Sequence, residues 1–116
     1  MGVINMTYQM KLHDKPYMCI KNETKTVELR LNDEKRQLLK TNDMIEFTNL
    51  LTNDKMLVRI EELSYYSTFD ELYKDFDKVS MGYENEDEAN PSDMEKYYSK
   101  EEQNRYGVVA IKIKKL

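Results

Sequence analysis

From Met6 to Leu12 the chain alternates, with Met6, Tyr8, Met10 and Leu12 separated by Thr7, Gln9 and Lys11. A period of two marks a strand with one buried face, so this segment is expected to be half-buried β-structure. Pro16 then opens a short helix through Asn22, its missing N–H harmless in a first turn. Alternation returns between Thr24 and Leu31, where Val27, Leu29 and Leu31 make an apolar face and Thr26, Glu28 and Arg30 a polar one. Asp33 to Leu39 reads as a charged turn and short helix, and Asn42-Asp43 as a tight turn into a strand from Met44 to Leu50. A second turn at Asn53-Asp54 leads to a strand marked by Met56, Val58 and Ile60.

Beyond Tyr66 the period changes. Ser67-Thr68 supply an N-cap, with Glu71 as the capping-box partner of Thr68. Phe69, Leu72, Tyr73 and Phe76 follow at i, i+3, i+4 and i+7, the strongest helical periodicity in the chain and an expected core stripe. Met81-Gly82 ends that region. An acidic loop, Asn90-Pro91 and a second helix from about Ser92 come next, with Met94, Tyr97 and Tyr98 on one face. Ser99 to Glu102 is another capping box, and the last strand runs from Val108 to about Lys114 with Val109, Ile111 and Ile113 facing one way. Five strands and about four short helices, the last strand set apart by helices, imply an α+β fold compatible with a partly closed barrel. In that barrel Val27, Leu29 and Leu31 are expected to pack against Ile45, Phe47, Val58, Ile60, Val109, Ile111 and Ile113, because a one-residue slip would expose the whole set.

Composition narrows the class. A length of 116 residues suits one domain, residues 1–116, and 40% hydrophobic with 34% charged residues is too apolar for a disordered chain. Apolar runs are only a few residues long, and Met1 to His13 holds no leader-like apolar region, so a cytoplasmic domain without a membrane span is the expectation. One cysteine (Cys19, read as a buried, inert thiol on the first helix) and one histidine (His13) leave no disulfide framework and no Cys/His metal cluster, and no cofactor is expected. The net charge is −4 and unevenly spread: residues 1–60 carry 10 Lys/Arg and 8 Asp/Glu, residues 61–116 carry 8 and 14. The stretch Glu84 to Glu88 is the densest, expected to be a mobile loop bordering the site. Such a balance opposes indiscriminate duplex binding and favours a small, shaped site.

Three places depart from the apolar pattern. Glu28 and Arg30 share one strand face, roughly 6.6–7 Å apart, with Lys25 at its entrance. A carboxylate between two cations stays ionised, and the group is either a solvated ion pair or a polar ligand seat offering donors to phosphate or carbonyl oxygens and an acceptor to an amino or hydroxyl group. Asn49 occupies a position where alternation with Ile45 and Phe47 expects an apolar side chain, so it either ties down a turn or lines a cavity. Nine tyrosines and no tryptophan make a skewed aromatic set, in which Tyr65-Tyr66 and Tyr97-Tyr98 each combine a core ring with a possible stacking platform for a base. No Ser-His-Asp or Cys-His arrangement and no glycine-rich phosphate loop is present, so any catalysis must use Lys, Glu, Tyr or Thr.

The segment Glu23-Thr-Lys-Thr-Val-Glu-Leu-Arg30 resembles the ASCH-domain signature G-x-K-x-x-E-x-R at Lys25, Glu28 and Arg30, with Glu23 in place of the glycine. Flanking pieces fit as well: Met10-Lys-Leu ahead of Pro16-Tyr17, Ile20-Lys21, Asn42-Asp43 before Ile45-Glu-Phe47, and Tyr97-Tyr-Ser99 before Tyr106-Gly-Val-Val109. The resemblance implies a PUA-like β-barrel with a cleft beneath the signature, a site proposed for RNA. It implies Lys25, Glu28 and Arg30 as ligand-binding residues; Lys21, the out-of-pattern Asn49 and Tyr98 are added to them as candidate ligand-binding residues. Some bacterial family members hydrolyse acetylated cytidine with a lysine, a threonine and a glutamate. Lys25 matches that lysine, Glu28 stands where the threonine would be, and the glutamate falls somewhere in Glu84 to Glu88.

The expected function is therefore an RNA- or nucleotide-binding module. A small amidohydrolase on an acetylated cytidine-type nucleoside, with Lys25 and Glu28 as catalytic groups, is an alternative. So is a protein-interaction domain using the acidic C-terminal half.

Overall fold

The order in which the alternating segments pair decides where the core lies and where the sheet stays open. The computed structural model describes residues 4–116; the first three residues of the N-terminal stretch lie outside them. Strands β1 (Thr7–Leu12), β2 (Val27–Leu31), β3 (Met44–Asn49), β4 (Lys55–Tyr66) and β5 (Val108–Lys115) form one sheet ordered β1-β3-β4-β5-β2. The pair β1/β3 is parallel and the other three pairs are antiparallel. Helices α1 (Asp14–Lys21), α2 (Phe69–Leu72) and α3 (Lys100–Tyr106), with 3-10 turns at Arg36–Leu38 and Pro91–Lys96, complete the described elements. The fold is α+β, a five-stranded half-barrel with short peripheral helices.

Alternation works as expected in β3 and β4. Ile45 sits opposite Val58, the Asn53 turn takes φ 64°, and asparagine tolerates that left-handed conformation better than most residues. A bulge between Ile60 and Glu62 inserts one residue into β4, which keeps both Ile60 and Leu63 on the inner face. The concave interior gathers Met10, Leu12, Ile45, Phe47, Val58, Ile60, Val109, Ile111 and Ile113, with Tyr17 and Ile20 of α1 closing over them. Among the described residues no helix is long and apolar enough to cross a membrane.

The expectation for β2 needs correcting. Val27, Leu29 and Leu31 do not join the barrel interior; they pack in a second cluster with Val108, Ala110, Phe69, Leu72 and Met81. Register explains it. Directly opposed residues share a sheet face, and Leu29 opposes Ala110 while Leu31 opposes Val108. Glu28 and Arg30 oppose Ile111 and Val109, so the polar face of β2 looks into the half-barrel and its apolar face looks out, under the helices.

Other differences are local. The stripe from Phe69 to Phe76 makes only one helical turn: Phe69 and Leu72 are buried, but the bonds from Lys74 and Asp75 tighten to i−3 and the helix ends. The chain then runs to Ser80, whose carbonyl accepts from the amides of Thr26 and Val27, so this segment is claimed by β2 and not by a longer helix. The helix expected near Ser92 is a 3-10 turn capped by Asn90, while the Ser99/Glu102 capping box is present as read. The first helix begins at Asp14, two residues before Pro16. Cys19 is half-buried, not the buried thiol expected.

Candidate ligand cleft

Strands β1 and β2 are the two free edges, and the seam between them is where the barrel fails to close. Arg30 Nη2 donates across that seam to the Lys11 carbonyl (3.1 Å). The seam widens into a cleft of about 620 Å³, floored by Lys25, Glu28 and Arg30.

Local geometry delivers each floor residue. After α1 the chain reverses through Glu23 at φ 63°, and the amides of Thr24 and Lys25 both donate to the Cys19 carbonyl. The residue that departs from the family glycine thus occupies a left-handed position that favours glycine. The reversal turns Lys25 inward, where it is 6% exposed and donates from Nζ to the Met81 carbonyl (2.8 Å). Gly82, next in the chain, has φ +109° and would place a Cβ 3.1 Å from Lys25 Cδ. Only glycine fits there without strain and without pressing on the lysine.

Glu28 sits between the two cations. Its Oε1 faces Lys25 Nζ (3.3 Å) and accepts from the Leu29 amide (3.2 Å), while Oε2 faces Arg30 Nε (2.9 Å) and Nη2 (2.8 Å). Burial alone would raise the Glu28 pKa; Arg30 and then Lys25 outweigh it and hold the carboxyl below its ordinary range. Burial likewise opposes the Arg30 charge, and Glu28 together with the neighbouring Tyr98 raises its pKa in spite of that. The triad is a buried network, not the solvated pair that β-alternation alone would allow.

The walls differ in charge. Lys11, His13 and Lys15 come to the lining from the β1–α1 segment, and Asp87, Glu88 and Asp93 from the acidic loop and the 3-10 turn that follows it. The acidic loop is fastened by Lys78, whose ammonium donates to the carbonyls of Asn85 (2.7 Å) and Asp87 (2.6 Å). It borders the cleft as expected. Tyr73, Tyr83, Tyr97 and Tyr98 supply the aromatic surface. Tyr98 stacks on Phe69 (6.1 Å, 23°), whereas Tyr97 is 54% exposed with Lys96 over its ring (5.2 Å). The Tyr83 hydroxyl bonds to Tyr73 and Asp93, both at 2.8 Å, and burial with these partners pushes its pKa up.

Of the residues singled out from sequence, Lys25, Glu28, Arg30 and Tyr98 meet in this cleft. Asn49 does not line it. Its amide donates to Asp14 (3.0 Å) and its carbonyl accepts from Leu51 (2.8 Å), which ties α1 to the β3–β4 turn. Lys21 is exposed at the end of α1, away from the lining. Sequence reasoning passed over Lys11, Lys15, Met81, Gly82 and Tyr83. The one available signal was Met81-Gly82, a glycine two residues before the acidic stretch in a chain that has three. Among the described residues no three His, Cys, Asp or Glu side chains gather as a metal site would require.

A family model for the ASCH domain matches residues 10–116. The crystal structure of hypothetical protein PH0355 is similar, at TM-score 0.82 and 28% identity over 96% of this chain and 100% of that one. The solution structure of protein PF0455 from Pyrococcus furiosus is similar at TM-score 0.75 and 29% identity, over 96% and 98%. No curated protein sequence matches the chain. The half-barrel is the PUA-like architecture anticipated from the signature, one generally associated with RNA.

Proposed function

The chain belongs to the ASCH domain family, and on that premise we propose that it binds single-stranded RNA or a nucleotide in the cleft above Lys25, Glu28 and Arg30. The observation that supports this reading most is the buried triad itself. Two cations are each held within 3.3 Å of one carboxylate at the bottom of a cavity of nucleotide size, a costly arrangement for a fold to keep without use. Lys11 and Lys15 line the cleft and offer cations to a sugar–phosphate backbone, and the tyrosines offer base-sized faces. The acidic wall restricts entry to ligands that fit, which separates this site from a general RNA coat.

Binding of short single-stranded RNA, followed against salt concentration, tests the proposal. Two or three phosphate contacts predict a log–log slope of about −1.4 to −2. Lys11→Ala and Lys15→Ala should flatten it. Affinity indifferent to Arg30→Lys and to both lysine variants would remove the cleft from the binding surface. Turnover of acetylated cytidine in the same samples would replace binding by hydrolysis. Capture of a protein partner without RNA would move function to the acidic half.

A further inference from the structure

Counting hydrogen-bond capacity on the cleft floor sharpens the ligand. A carboxylate has about four lone-pair sites. Glu28 faces four N–H-bearing partners: Lys25 and the Leu29 amide on Oε1, Arg30 Nε and Nη2 on Oε2. Two of these contacts are hydrogen bonds and two are ion pairs, so both carboxylate oxygens are turned to partners within the fold. Lys25 gives one N–H to Met81 and one toward Glu28, leaving one of its three. Arg30 donates from Nε to Glu28 and from Nη2 to the Lys11 carbonyl, with Nη2 also paired electrostatically to the carboxylate at 2.8 Å. Nη1 takes part in neither the Glu28 nor the Lys11 contact, and the Tyr98 side chain is the polar neighbour that borders this guanidinium. The floor therefore presents donors alone, with one net positive charge from three ionised groups.

Resting on the nucleotide-binding reading above, we infer that this floor seats the carbonyl edge of a nucleobase, entering base first, and that Glu28 is a positioning residue that holds the two donors and does not touch the ligand. A phosphate would also satisfy donors. The walls argue for the base: Asp87, Glu88 and Asp93 face the cavity and repel a dianion, while Tyr98, braced on Phe69, offers a flat apolar face. Phosphates then lie outward, toward Lys11 and Lys15.

Uracil and cytosine carry a ring carbonyl and adenine carries none. Tetranucleotides of U, C and A, with ribose 5-phosphate as a competitor, separate the sources. The expected result is binding of the U and C forms roughly tenfold or more above the A form, with ribose 5-phosphate a poor competitor. Lys25→Met and Arg30→Lys should bring the three sequences together. In variants that fold poorly the readout moves to wild-type protein. There, side-chain ¹⁵N resonances of Lys25 and Arg30 should shift on adding the U form, while the Glu28 carboxyl ¹³C stays in place. Equal binding of U, C and A with effective competition by ribose 5-phosphate overturns the inference and leaves RNA binding standing, with phosphate in the seat. A Glu28 carboxyl that responds as strongly as the two cations overturns its positioning role. Binding of none of the probes overturns the inference together with the reading beneath it.

Discussion

Replacing Glu28 by Gln is the most informative single perturbation, because it keeps the side-chain shape and removes one buried charge. In the folded protein Glu28 is 5% exposed, with cations at 2.8 and 3.3 Å. At an effective dielectric of 20, each pair at about 3 Å is worth roughly 5 kcal/mol of gross attraction. Desolvation cancels much of that. Removing one partner of a buried pair nevertheless costs about 3–5 kcal/mol, since the remaining charges stay buried. The open side of the cleft lets water reach Arg30, so the lower end, about 3 kcal/mol, is the expected loss. In urea this lowers the midpoint by on the order of 2 M with an unchanged slope. The acid limb gives a second reading. Because Arg30 and Lys25 hold the Glu28 pKa below the ordinary value of 4.5, the triad's contribution is complete above that value and is lost as pH falls through the lower, folded one. The variant should lack that part of the acid dependence. A urea midpoint within 0.3 M of wild type, by order of magnitude under 0.5 kcal/mol, together with an unaltered acid limb, would show the triad to be energetically idle and refute the account.

Three further outcomes follow from the geometry. Leu29→Ala should cost about 2–5 kcal/mol by urea denaturation, since the side chain fills the layer between β2 and the helices; an unchanged midpoint would dissolve that second core. Glu23→Gly should stabilise by roughly 0.5–1 kcal/mol, because the residue sits at φ 63°, and a lower midpoint would mean the Glu23 side chain itself supports the turn. Gly82→Ala should lose about 1–3 kcal/mol and weaken RNA binding through displacement of Lys25; binding at wild-type strength would show that Lys25 does not depend on its neighbour's lack of a side chain.

Much of the fold was legible because it is written in short-range periods. Alternation located all five strands, and turn chemistry located Asn42 and Asn53, both of which take positive φ. The capping box at Ser99 and Glu102 was readable from four residues. The Phe69 stripe marked core positions correctly, since Phe69 and Leu72 are buried and Tyr73 and Phe76 pack against the same cluster. Helical spacing overstated the helix, which ends after one turn before the chain runs on to offer the Ser80 carbonyl to β2. Asn49 was correctly marked as out of pattern, but both of its readings were open until the Asp14 and Leu51 bonds assigned it to the turn.

By itself the sequence determined the five strands, the α+β class and the identity of the signature triad, since each depends on neighbours within a few residues. Which way the faces of β2 point was decided only by tertiary structure. An alternating strand carries two faces, and its own residues do not say which is inner. The antiparallel register with β5 sets Glu28 against Ile111 and Leu29 against Ala110, turning the polar face into the half-barrel and the apolar face toward the helices. The same holds for Met81 and Gly82, which lie more than 50 residues from Lys25 in the chain and yet supply its hydrogen-bond acceptor and its space. Contacts of that separation leave no local period behind, so the site's chemistry was visible in the sequence and its enclosure was not.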